Sequence, residues 1–342
     1  MSSTLEQILA TFLNANSILT RTISTLSVLF FIYGFYCFIF GLSIHVLFHQ
    51  SNPVHRLQTG CTIALFILAT IYIVSQVWAT FGQASIGFHA ATTKDYASVI
   101  QYLKGDDGKI AWVGTLDIVS NLMNSIADIM LIHRCYRIFN SNKLVLFTLG
   151  FSACILNGID LGCIIAITIG YGSSSKPDNP NLIMKVQSID NGVVIGIAIF
   201  QTILTFLTGG RIWWITHQAR KLMGGSTCTR YNNIIAIIIE SGLLNAGFLL
   251  TEAVVEPILD SGGISNAPID FTIFPVLMSG LSPTMVIAWV AYGKSVESVQ
   301  QAISMHHRSN TETSHLRSAT GIRQATIDLE SQTQAGITIS DL

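Results

Sequence analysis

The chain has 342 residues, of which 50% are hydrophobic and only 11% are charged. Its mean hydropathy is +0.54, and this composition predicts a polytopic membrane protein whose first partner is the lipid bilayer. The formal net charge of −1 and the lack of a basic patch interleaved with aromatic residues exclude a nucleic-acid-binding function, so we expect no nucleic acid among its partners.

The predicted elements are helices that cross the membrane. Residues 1–26 are mostly polar and read as an extracellular amino-terminal segment. Seven apolar segments follow, each close to the roughly 20 residues that a spanning helix needs. They cover residues 27–48, 57–80, 111–133, 144–171, 189–216, 232–256 and 267–292. Residues 293–342, rich in Ser, Thr and Gln, predict a disordered cytosolic tail. The predicted fold is therefore all-α, a seven-transmembrane-helix bundle over residues 27–292.

Lysine and arginine in the connections predict the orientation of this bundle. The connections after the first, third and fifth predicted helices lie on the same side of the membrane. They carry Arg56, the basic residues from Arg134 to Lys143, and three basic side chains within residues 220–230. The excess of basic residues on this side places it in the cytosol under the positive-inside rule. We therefore expect the amino terminus outside, the carboxyl terminus in the cytosol, and the plasma membrane as the location.

The third predicted helix carries a polar stripe in an otherwise apolar sequence. Asp117, Asn121, Asn124 and Asp128 are spaced by four, three and four residues, so they share one helix face. An acidic side chain near mid-bilayer costs about 2.5 to 3.5 kcal/mol on the insertion scale, so this face must line a bundle interior or a wet cavity.

An outer set of polar residues is predicted where helices three to six approach the exterior. The outer set is Asp117, Asn121, Asp160, Asp190 and Glu252. Together these side chains would form a polar pocket open to the outside, a candidate site for an unknown small ligand or ion. The alternative is that they hydrogen-bond one another across helices, at about 0.6 kcal/mol per contact, and bind nothing.

An inner set of charged residues is predicted near the cytosolic end. The inner set is Asp128, Arg134, Arg137, Arg211 and Glu240. Opposite charges at low dielectric are expected to pair, and the breaking of such pairs while helices separate would be a two-state switch. The alternative is that the arginines only reach the cytosolic headgroups and fix the topology.

Motifs of enzymes and cofactor proteins are missing from the sequence. The last predicted helix has no lysine for a retinal Schiff base. His45 and His49 have a metal-compatible spacing, but no third ligand is evident, and a pair of interfacial histidines is favoured. No Gly-rich phosphate loop and no nucleophile motif is present. We expect no catalytic activity, no cofactor and no bound metal.

Several segments resemble a known set of proteins. ADIMLIHRCYRIF closing the third helix, GRIWWITHQAR closing the fifth, and GLSPTMVIAWVAYGKS in the seventh resemble a set of basidiomycete fungal seven-helix membrane proteins, over most of residues 27–298. The resemblance implies topology rather than chemistry. Asp128 followed by Arg134 and Arg137 is similar in layout to G-protein-coupled receptors, although the Asp-Arg-Tyr triplet is absent.

Three functions are consistent with these patterns. The receptor-like layout implies signal transduction for an unknown ligand, with a G protein or another cytosolic signalling partner. A transporter or proton-coupled carrier would use Asp117 and Asp128 as successive stations on one helix face. A structural membrane protein would use the polar stripe only to hold the bundle together.

Overall fold

The computed structural model describes residues 15–49, 53–94, 102, 107–140, 142–172, 179–219, 225–261 and 269–289, and these contain no strand. They form seven helices of more than ten residues. These are α1 (Ala15–His49), α2 (Pro53–Thr93), α3 (Asp107–Ile138), α4 (Lys143–Gly172), α5 (Asn179–Ala219), α6 (Gly225–Ser261) and α7 (Ile273–Trp289). The prediction of an all-α fold is confirmed for this part of the chain. The predicted cytosolic tail and residues 1–14 of the amino-terminal segment lie outside the described residues.

The outer surface of these helices is apolar. Each of α1 to α6 contains a stretch long and apolar enough to cross a membrane, while α7 is shorter, at 17 residues. Large side chains such as Phe31, Phe147 and Trp78 expose 73% to 78% of their surface. Meanwhile Asp128, Gln201 and Thr205 are almost fully buried. An apolar exterior around a polar interior is stable only in lipid, so the chain is an integral membrane protein.

Several helices extend beyond the apolar segments that predicted them. The first helix begins at Ala15 rather than at residue 27, so residues 15–26 belong to α1 and not to a separate segment. The second continues to Thr93 rather than ending at residue 80, and the fifth begins at Asn179 rather than at residue 189. Hydropathy reports only the part of a helix that contacts lipid, whereas backbone hydrogen bonds continue into polar sequence.

The last helix instead begins later than predicted, at Ile273 rather than at residue 267. The Asp270 carboxylate accepts hydrogen bonds from the Thr272 backbone N–H at 3.2 Å and from the Thr272 hydroxyl at 2.7 Å. These bonds satisfy donors at the start of α7 in the manner of a helix cap.

Helices adjacent in sequence pack against each other from α1 to α6, and α3 also contacts α5. The largest apolar core joins α1, α2, α3 and α7, where Tyr36, Leu65, Met123 and Leu277 are completely buried. Two smaller cores lie between α3, α4 and α5 and between α5 and α6. The central position of α3 explains why its polar residues face protein rather than lipid.

Candidate functional site

A polar cavity of about 550 Å³ lies at one end of the bundle. It is bordered by the first halves of α1, α3, α5 and α7 and by the second halves of α2, α4 and α6, so successive helices run in opposite directions. Arg21 and Gln187 on its wall are exposed, and the cavity is therefore open at this end, here called the cavity end. The charged groups of its lining are Arg21, Asp117, Asp160, Asp190, Glu252 and Asp270.

All members of the outer set line this single cavity. Asp117 and Asn121 come from α3, Asp160 from α4, Asp190 from α5 and Glu252 from α6. The structure thus brings together the five residues singled out from the sequence. Ligand binding by these residues stays a prediction.

The wall between α3, α4 and α5 is closely hydrogen-bonded. The Asn121 side-chain amide donates to the Asp160 carboxylate at 2.6 Å and to the backbone carbonyl of Asn157 at 3.2 Å. The carboxyl groups of Asp160 and Asp190 also lie within hydrogen-bonding reach of each other. Two carboxylates so close repel one another unless a proton or a cation lies between them. A proton shared by the two carboxyl groups, or a cation bound in the cavity, would remove this repulsion.

The wall formed by α1, α2 and α7 contains residues that the sequence analysis missed. The Gln76 amide donates to the Asp270 carboxylate at 3.1 Å, and the Asp270 backbone N–H donates to the Thr25 hydroxyl at 3.2 Å. Tyr72 is buried close to Asp270, Glu252 and Asp117. The Asp-x-Thr pattern of residues 270–272 is a capping signal that could have revealed Asp270. Nothing in the periodicity of α2 marks Tyr72 or Gln76 as cavity residues.

A buried amide network begins at the inner wall of the cavity. It consists of Asn121, Asp128, Asn157, Asp160, Gln201 and Asn245, and joins α3, α4, α5 and α6. The Asp128 carboxylate, on a residue that is 1% exposed, accepts from the Asn157 amide at 2.9 Å and from the Gln201 amide at 3.0 Å. The Asn245 side-chain amide donates to the side-chain carbonyl oxygen of Gln201 at 2.6 Å. Neutral amides thus satisfy a buried carboxylate without a second buried charge.

The ion pairs predicted for the inner set are not formed among the described residues. Asp128 bonds to amides, while Glu240 and Arg137 are exposed. Helix geometry explains the difference, because Arg134 and Arg137 are six and nine residues after Asp128. At about 100° per residue, these arginines lie about 120° and 180° away around α3.

Arg134 and Arg211 are half-buried and make other contacts. The Arg134 guanidinium donates to the backbone carbonyl of Pro283 at 2.7 Å and so joins α3 to α7. The Arg211 guanidinium lies 4.5 Å from the ring centre of Trp214 and 5.5 Å from that of Phe139. Cation–π contacts of this kind hold a guanidinium at a membrane interface.

Comparison with known proteins adds no assignment, because no family model, no curated protein and no solved structure matches this chain.

Proposed function

We propose that this chain is a receptor-like membrane protein that binds a small ligand in the polar cavity and transmits the binding event through the amide network. One observation carries the proposal: the cavity and the network share Asn121 and Asp160. A ligand that takes a hydrogen bond to Asp160 competes with Asn121. The same Asn121 amide also bonds α4 at Asn157, so its release changes how α3 and α4 are held together.

Hydrogen bonds between helices in the half of the bundle opposite the cavity end transmit the conformational change to that end. Arg134 ties α3 to α7, and the Ser282 hydroxyl ties α7 to α6 by donating to the Ser241 carbonyl at 2.8 Å. These bonds must break or exchange when α3, α6 and α7 move apart. In this mechanism they replace the ionic switch that the inner set predicted.

The topology that suits this function has seven spans. The cavity end then faces the outside, with the amino terminus, and the opposite end faces the cytosol. There a G protein or another signalling partner binds. The plasma membrane is the compartment in which an outward cavity meets an extracellular ligand. The resemblance to fungal seven-helix membrane proteins favours the same topology.

Ligand-independent signalling tests this proposal in cells that express the full chain. Asp128→Asn disturbs the centre of the network, and Arg134→Gln disturbs the bond to α7. Each is expected to change basal output, up or down, in a panel of G-protein and arrestin-recruitment reporters. Glu240→Gln is the matched control, because this carboxylate is exposed on α6. If both variants match the wild type at equal surface expression, the relay is refuted.

A carrier is the second candidate, and the position of Asp128 favours it. Asp128 and Asn157 also line a second cavity of about 360 Å³ between α2, α3 and α4, toward the opposite end of the bundle. The amide network therefore separates two cavities, as a gate in an alternating-access carrier would. Reconstituted vesicles distinguish the two functions: a carrier shows pH-dependent uptake or current that Asp128→Asn abolishes, whereas a receptor shows no flux.

A further inference from the structure

The polar cavity has more negative than positive groups. Among the described residues, five carboxyl groups and one cation, Arg21, line it. Lys109 lies nearby, with its Nζ 5.5 Å from the ring centre of Tyr171, a residue of the cavity wall. Even with both cations counted, three carboxyl groups are in excess, whichever pairs the cations form. An excess of negative charge in a cavity with low-dielectric walls attracts cations.

The carboxyl groups are divided between two walls. Asp160 and Asp190 lie together where α4 and α5 meet. Asp117 on α3, Glu252 on α6 and Asp270, just before α7, instead lie near Tyr72. A ligand that satisfies both groups therefore needs positive charge at two separate points.

Two residues of the cavity wall have buried acceptor atoms that receive no hydrogen bond from the described residues. Asn124 is 8% exposed and lines the cavity, and its side-chain carbonyl oxygen accepts no hydrogen bond. One carboxylate oxygen of Asp190 is likewise buried and accepts none. Because buried polar atoms are almost always hydrogen-bonded, these acceptors indicate a missing donor. An ammonium group offers three donors and no acceptor.

Size and side-chain geometry favour a small molecule over a single metal ion as the occupant. Among the described residues, no three His, Cys, Asp or Glu side chains converge closely enough to hold one. The volume of about 550 Å³ lies instead within the roughly 300 to 1,000 Å³ typical of small-molecule sites.

We infer that the ligand of the polar cavity is an aliphatic amine with two or more ammonium groups, bound by Asp160 and Asp190 on one wall and by Asp117, Glu252 and Asp270 on the other. This inference rests on the proposed function, because it names the ligand class of the same cavity. The methylene chain between the ammonium groups spans the cavity and contacts its apolar residues, such as Trp112 and Val276.

Calorimetric titration of the purified full chain in phosphatidylcholine nanodiscs tests the inference. Spermidine and 1,4-diaminobutane are the probes, with butylamine and succinate as comparisons at matched ionic strength. We expect spermidine to bind at least about tenfold more tightly than butylamine, and succinate not to bind. A change in the fluorescence of Trp112, which lies on the cavity wall, gives an independent readout of ligand binding.

Matched variants locate the binding site. Asp190→Asn and Glu252→Gln each remove one carboxylate from a different wall, and each is expected to weaken spermidine binding about tenfold. Glu240→Gln removes an exposed carboxylate from the same helix as Glu252 and leaves the affinity unchanged. Thermal unfolding midpoints show which variants remain folded. If Asp190→Asn unfolds the bundle, Glu252→Gln alone decides the result.

Equal affinity for spermidine and butylamine, or affinity that is insensitive to Glu252→Gln, overturns the inference. Other outcomes decide on the proposed function independently of the ligand class. Spermidine binding without any signalling response refutes the receptor and leaves the ligand class standing. A change of basal signalling in Asp128→Asn, without spermidine binding to the wild type, refutes the ligand class and leaves the receptor standing.

Discussion

The side chain of Asp128 shows how a membrane protein accommodates an acidic residue in its core. The carboxylate is buried, and its two oxygens each accept one amide hydrogen bond, from α4 and from α5. Its charge is therefore offset by donors on two other helices rather than by an arginine. Because amides from α4 and α5 both donate to this carboxylate, the packing of α3 against these two helices depends on it.

Replacement of Asp128 by alanine measures this dependence. Asp128→Ala leaves the Asn157 and Gln201 amides without their acceptor, and we expect the free energy of unfolding to fall by about 1 to 3 kcal/mol. Asp128→Asn retains one acceptor and is expected to lose less. Ser152→Ala on the exposed surface of α4 is the control and should change stability little, because among the described residues its hydroxyl bonds only the Thr148 backbone carbonyl of its own helix. Denaturant titration of the purified protein in detergent micelles supplies the values, and equal stability of all three variants would contradict the account.

At the scale of the elements, α5 and α6 approach each other closely because Gly242 on α6 has no side chain. A Cβ added to Gly242 would lie 2.9 Å from Thr205 Cβ and still closer to the Thr205 hydroxyl and methyl groups. Close approach of helices at small residues is a common source of packing energy in membranes, where no hydrophobic effect drives helix association. Gly242 is therefore required by packing rather than by backbone conformation.

Gly242→Ala is expected to destabilise the bundle by about 1 to 3 kcal/mol, because the new methyl group forces α6 away from α5. Gly247→Ala is the matched control on the same helix, since an added Cβ there meets no atom within 4 Å. Thr205→Ala should restore part of the loss in a double variant, by removing the two closest atoms. Thermal unfolding midpoints of the variants in nanodiscs are compared. Equal midpoints for the two glycine variants would show that α5 and α6 can accommodate a methyl group at residue 242.

At the scale of the whole molecule, the two ends of the bundle differ in character. The cavity end collects carboxyl groups from four helices and from the segment that precedes α7. The opposite end holds Arg134, Arg137 and Arg211, with Trp213 and Trp214 exposed beside them. The basic residues favour the proposed orientation, because the positive-inside rule places an excess of Lys and Arg on the cytosolic side.

Epitope tags at the two termini test the proposed orientation. We expect an amino-terminal tag to bind antibody on intact cells and a carboxyl-terminal tag to bind only after permeabilisation. Both tags on the same side would instead mean an even number of spans, with the 17-residue α7 failing to cross the bilayer. The reverse accessibility would turn the polar cavity toward the cytosol, and an extracellular ligand would be ruled out.

The sequence by itself determined the helical class, the membrane setting and the inward direction of the polar stripe on α3. In lipid the backbone must satisfy its own hydrogen bonds, and carboxylates must avoid the hydrocarbon, so these three conclusions follow from one helix at a time. The gathering of the outer set could be predicted for the same reason.

The tertiary structure alone decided the hydrogen-bond partners of the individual polar groups. The partners of Asp128 on α4 and α5, the bond from Arg134 to the Pro283 carbonyl, and the place of Asp270 in the cavity wall all depend on how neighbouring helices are rotated and shifted. Side-chain packing between helices sets those rotations, and the periodicity of a single helix carries no record of them.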